Sequence, residues 1–175
     1  MSANWRISSL SGALLAAYFI PTWIMVAFRI MISPIHGFYE RPNIAVALFI
    51  SDHLPLAGIA TVRMAWLLAL GKLTVVAFFA IFLVLLTRAV IRKGGGADEA
   101  LAMALAIGSV ISFASMLMAS QVGETAALRL HATELLMLLG TAIVMLTERP
   151  AQTAPQIQRS ASDLSLEQPQ LLDNR

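Results

Sequence analysis

The chain contains no cysteine, which removes disulfides, thiolate metal sites, iron–sulfur clusters and thiol redox chemistry from what these residues can do. Charge is scarce as well. Asp, Glu, Lys and Arg make up 13% of the 175 residues, where a soluble domain carries about 25%. The basic residues that exist are scattered and the net charge is only +2, so there is no clustered basic face for nucleic acid. No phosphate-binding loop, serine-nucleophile elbow, zinc-protease helix or dinucleotide fingerprint occurs. The GKLT at Gly71 to Thr74 lacks the upstream glycine of a phosphate loop and lies inside an apolar run. Nothing in the sequence marks an enzyme.

What fills the chain instead is hydrocarbon. Apolar residues reach 58% and the mean hydropathy is +0.78. The apolar runs approach the ~20 residues that a bilayer-crossing helix needs, and they lack the period-two alternation of barrel strands. The fold class expected is all-α, a polytopic transmembrane bundle of four spans at about 10–32, 65–87, 99–121 and 127–147.

The first run, from Leu10 to Ile32, is longer than a cleavable signal core of about 7 to 15 residues, and reads as an uncleaved span that Pro21 should kink. Gly94 to Gly96 should stop the second span. Asp98 is a plausible N-cap for the third, with Glu99 at its positive end. The short VGET stretch makes spans three and four an antiparallel hairpin. Between spans one and two, the apolar residues of 43–62 are broken by Ser51, Asp52, His53 and Pro55. That stretch is expected to be interfacial or re-entrant, bounded by Arg41 and Arg63. Residues 1–9 read as a short cytoplasmic N-terminus. Residues 149–175, rich in Gln, Ser and Pro, read as a disordered cytoplasmic tail.

Arg6, Arg88, Arg92, Lys93 and Arg149 fall on one side of a four-span topology. By the positive-inside rule both termini are then cytoplasmic, in an inner or plasma membrane. Trp5 and Trp66 suit the two interfaces.

Three ionisable residues interrupt the spans. Counting residues from the ends of the runs at 1.5 Å each, Lys72 lies about 24 Å from Arg88, Glu134 about 21 Å from Glu148 and His131 about 25 Å from Glu148. They share one depth, in the outer half of a core about 30 Å thick. An ionised group there costs about 2.5–3.5 kcal/mol on the mildest scale, so such groups face the bundle interior and pair. Lys72, His131 and Glu134 are therefore the candidate intramembrane polar cluster. A Lys72–Glu134 ion pair is expected, with His131 one helical turn from Glu134 and Arg129 pointing elsewhere. Protonated or hydrogen-bonded groups that merely hold two helices together are the plainer alternative. His36, Asp52 and His53 are further polar residues expected on the outer side.

Ala100, Ala104, Gly108 and Ser112 recur every fourth residue and form a small-residue packing stripe. Its expected partner is the tethered fourth span, with Gly140 and Ala142. A dimer or subunit interface is the alternative.

These features suggest a non-enzymatic accessory or partner-binding component that contacts the bilayer and either other membrane subunits or a second copy. One alternative is proton or ion translocation through Lys72, Glu134 and His131. A further one is electron transfer by a haem-binding subunit. No cofactor is expected, and a haem b at His131 is the exception the histidines leave open.

Overall fold

The computed structural model describes residues 7–53, 58–87 and 96–148. Every regular element among them is helical. The elements are α1 (Ile7–Ile32), α2 (Pro34–Phe38), α3 (Ile44–His53), α4 (Gly58–Thr87), α5 (Gly96–Val122) and α6 (Thr125–Thr147). The four long helices are each long and apolar enough to cross a membrane, so the chain is an all-α, multi-pass membrane bundle. α1 continues through Pro21 without a break.

Each long helix buries one narrow stripe. In α6 it runs Ala127, His131, Glu134, Leu138, Thr141, Met145, and in α4 Ala65, Ala69, Lys72, Val75, Phe79, Phe82, Leu86. These steps of three and four residues keep one face of a helix toward its neighbours. The opposite faces are apolar too. Phe28, Leu67, Val110, Leu136 and Ile143 are all largely exposed. Water would penalise such a surface, whereas hydrocarbon accepts it. The three ionisable residues sit at core positions of their stripes, so the packing that buries the stripe also buries them.

α1, α4, α5 and α6 pack in chain order, each against the next, and α6 returns only lightly to α1. At one end, the base, the bundle is tied shut. The Glu148 carboxylate, at the end of α6, accepts the backbone N–H of Ile7 at 2.8 Å and of Ser8 at 3.1 Å. It thereby satisfies two of the orphan donors at the start of α1 and opposes the positive end of that helix. The interior above is apolar. Phe19 and Phe79 stack with centroids 5.7 Å apart, surrounded by Leu15, Phe82, Leu101, Leu105 and Leu138.

α2 and α3 cover the other end, the cap. Gly37 of α2 lies on the backbone of α1: a Cβ there would stand 2.6 Å from the Ile30 nitrogen. Asn43 is buried and its Nδ2–H donates to the Gly37 carbonyl at 3.1 Å. α3, at 10 residues about 15 Å long, is too short to cross the bilayer. It packs Val46, Ala47 and Ile50 against Ala27, Ile30, Phe38, Ala65 and Ala69, and sets Ala45 on Ala119 and Ala127.

Several boundaries differ from the sequence expectation. Residues 43–62 are not one interfacial element: α3 ends at His53, and Gly58 to Val62 already belong to α4. The reason is that Ile59 to Met64 continue the helical pattern upstream of the longest apolar run. The first span starts at Ile7, inside the stretch read as an N-terminal segment. Asp98 lies, with Glu99, in the first turn of α5 as described from Gly96. The hairpin turn between α5 and α6 is made by Gly123, whose φ of 76° is left-handed. The Glu124 N–H donates back to the Ala119 carbonyl at 3.0 Å and closes the end of α5. Trp5, Arg6, Pro55, the basic stretch 88–95 and the tail from 149 lie outside the described residues.

Candidate functional site

Four helices and one linker converge on Glu134, which is only 5% exposed. The Trp23 indole of α1 donates to its Oε1 at 3.1 Å. The Ser112 hydroxyl of α5 donates to Oε2 at 3.4 Å. His131 Nδ1 stands 3.0 Å from the same oxygen, and His131 Nε2 stands 3.1 Å from the main-chain carbonyl of Pro42, in the linker between α2 and α3.

This geometry fixes the proton count. A carbonyl oxygen only accepts, so His131 Nε2 carries a hydrogen and donates to Pro42. The remaining short contact, between Nδ1 and Oε2, needs one proton. It resides either on the imidazole, giving His⁺ beside Glu⁻, or on the carboxyl, giving two neutral groups. Both forms have zero net charge. The His131–Glu134 pair therefore carries no net charge.

Lys72 of α4 is left over. It is 2% exposed, and its nitrogen lies 5.2 Å from the centroid of the Trp23 ring, within cation–π range. Among the described residues no carboxylate oxygen lies within 4.0 Å of that nitrogen. The expected Lys72–Glu134 ion pair does not form. The shared depth does bring the two residues to one cavity, but His131, Trp23 and Ser112 occupy the carboxylate.

The cavity, about 460 Å³, opens between α1, α4 and α6 at the cap end and is lined by Tyr18, Trp23, Lys72, Glu134 and the linker residues Glu40, Arg41 and Pro42. At its rim Arg29 and Glu40 form an ion pair at 2.9 Å, with side chains 56% and 36% exposed. A second cavity, about 410 Å³, lies toward the base between α1 and α6, lined by Leu14, Leu136, Gly140 and Val144 among others. Tyr18 lines both.

The remaining sequence candidates lie elsewhere. His36, Asp52 and His53 are exposed and line neither cavity. His53 donates to the Phe49 carbonyl at 3.2 Å and stacks on the Phe49 ring. Arg129 is exposed, off the cluster. Among the described residues no group of three or more His, Asp and Glu could hold a metal. Both ring nitrogens of His131 are engaged, so an axial haem ligand would have to surrender one of these bonds. Ala100, Ala104, Gly108 and Ser112 are all buried inside the bundle. A Cβ on Gly108 would meet Leu138 at 3.4 Å and Val75 at 3.5 Å. Gly140, by contrast, is exposed with nothing within 4 Å of its Cβ position. It opens the α1–α6 seam and makes no close approach to α5.

Trp23, Ser112 in its hydrogen-bonding role, and the Pro42 carbonyl were missed by sequence reasoning. A tryptophan in mid-span, whose N–H needs a partner once buried, was the available signal for the first. A main-chain carbonyl leaves none. Comparison with family models, with characterised proteins and with solved structures finds no match for this chain.

Proposed function

We propose that this protein is a non-enzymatic component of the inner or plasma membrane that binds an anionic ligand in the cavity at its cap end. Both termini face the cytoplasm, so the cavity opens on the outer half of the bilayer. One observation carries the reading: Lys72 is buried at a cavity with no carboxylate oxygen of the described residues within 4.0 Å of its nitrogen, because Glu134 is held by His131, Trp23 and Ser112 and Glu40, which also lines the cavity, is paired with Arg29. An uncompensated ammonium in this medium attracts an anion.

Trp23 touches both Lys72 and Glu134 and serves as the reporter. In a Trp5→Phe, Trp66→Phe background, titration with acetate or inorganic phosphate in a neutral detergent is expected to change Trp23 fluorescence saturably, and Lys72→Met to abolish the response. A linear response, or one indifferent to Lys72→Met, overturns the proposal. The orientation is testable because the chain has no native cysteine. In intact cells Thr125→Cys should react with an impermeant maleimide, and Ser165→Cys only after permeabilisation. The accessory role predicts that other membrane subunits or a second copy co-purify. A lone monomer with nothing bound counts against it.

Proton translocation has one observation in its favour, the proton shared by His131 and Glu134. It predicts that Glu134→Gln abolishes pH-driven flux in liposomes, and absence of flux in the wild type ends it. The closely packed apolar core around Phe19, Phe79 and Phe82 between cavity and base supports binding over passage.

A further inference from the structure

Resting on that reading, the geometry points to a more definite ligand: a single-chain amphipathic monoanion of the fatty-acid class, its carboxylate at Lys72 and its acyl chain in the α1–α6 seam. The two cavities lie along one seam and share Tyr18 as a lining residue. The upper cavity is lined by the Lys72 ammonium, buried and, among the described residues, with no carboxylate oxygen within 4.0 Å. The lower one carries no charged residue. From Leu136 to Val144 this trough extends about 12 Å along α6. Position 140 is glycine and faces this open space: no atom lies within 4 Å of where a Cβ would stand.

Polarity and direction agree. A molecule in the outer leaflet has its charge near the interface and its tail toward the bilayer centre, the same order in which Lys72 and the trough follow one another from cap to base. Entry is lateral, between α1 and α6, the neighbouring pair of long helices that touch least. Lys72 is the one buried cation of the three that line this cavity; Arg29 is held by Glu40 at the rim, and Arg41 is exposed there.

The test uses the full chain in phosphatidylcholine liposomes with a palmitic acid bearing a diazirine on its chain, with adducts mapped by mass spectrometry after illumination. Adducts are expected to concentrate on Leu14, Leu136 and Val144, and to fall at least five-fold in Lys72→Met. Gly140→Phe fills the trough at a position with free space, so the fold is retained. It should lower the seam adducts equally while leaving the acetate response of Trp23 intact. If seam adducts are absent but that response persists, the acyl-chain inference falls and the anion site stands. If the acetate response itself is missing, the underlying reading falls first. Labelling spread evenly over lipid-facing positions such as Leu67 and Val110, indifferent to Lys72→Met, overturns the inference. So does seam labelling by a diazirine phosphatidylglycerol where the fatty acid gives none.

Discussion

Replacing Glu134 separates two accounts of the buried cluster by their energetics. Glu134→Ala removes the acceptor for Trp23 Nε1 and Ser112 Oγ and the partner of His131 Nδ1, all inside the bundle. Deleting one hydrogen bond between membrane helices costs on average about 0.6 kcal/mol and at most about 1.7, so three lost bonds are worth about 2–5 kcal/mol. For a chain of this size 1 kcal/mol moves the unfolding midpoint by roughly 2–4 °C. Thermal unfolding in a neutral detergent should therefore show Glu134→Ala about 4–20 °C below the wild type. Glu134→Gln should behave differently. The amide oxygen still accepts from Trp23, and the amide N–H donates to Nδ1 of a neutral His131, whose Nε2–H stays on Pro42. The second amide N–H meets Ser112 Oγ, whose hydroxyl turns from donor to acceptor, so every partner is satisfied and the midpoint should stay within about 2 °C of the wild type on the same scale. If Gln proves as damaging as Ala, the single shared proton is wrong, and Glu134 must be an obligate anion. If Ala proves harmless, the cluster is not desolvated and the site loses its foundation.

Three further substitutions probe the frame around the site. Gly37→Ala drives a methyl into the backbone of Ile30 and Arg29, where no side chain can yield. It should cost about 1–3 kcal/mol and loosen the cap, seen as faster proteolysis between α2 and α3. Glu148→Ala strips the two bonds that hold the start of α1 and should cost about 0.5–2 kcal/mol, with the earliest deuterium exchange at Ile7 and Ser8. The Arg29–Glu40 pair, exposed on both sides, should show a coupling below about 1 kcal/mol in a double-mutant cycle.

The spans were legible because a bilayer imposes its thickness on any helix that crosses it, and length with hydropathy is enough to find them. Lys72, Glu134 and His131 were legible for the opposite reason: each is an anomaly in an apolar run, and residue counting gives its depth. Rotation about the helix axis was not legible. Depth allowed Lys72 to meet Glu134, but which group the carboxylate addresses depends on how α1, α4 and α6 are turned, and Trp23 and His131 lie closer to it. Gly140 failed for the same cause, since a small residue in a span opens a seam or closes an interface according to the face it occupies. The short helices α2 and α3 are set by tertiary contacts, Gly37 on α1 above all, and those contacts leave only a weak mark in the sequence.

Lys72 decides between architecture and binding. A bundle shaped for stability alone would have paired it with Glu134, or placed leucine there. An unpaired cation in the membrane costs about 2.5–3.5 kcal/mol, of which the Trp23 ring returns about 0.5–2. Lys72→Met keeps much of the side-chain volume and removes the charge. It should therefore raise the unfolding midpoint, by about 2–8 °C if about 1–2 kcal/mol is recovered, while eliminating the anion response. Gain of stability with loss of binding is the signature of a residue kept for its ligand. Should Lys72→Met instead lower the midpoint by several degrees, Lys72 is held by a structural partner. The cavity would then be a packing defect beside a working ion pair, and the binding proposal would have no charge to rest on.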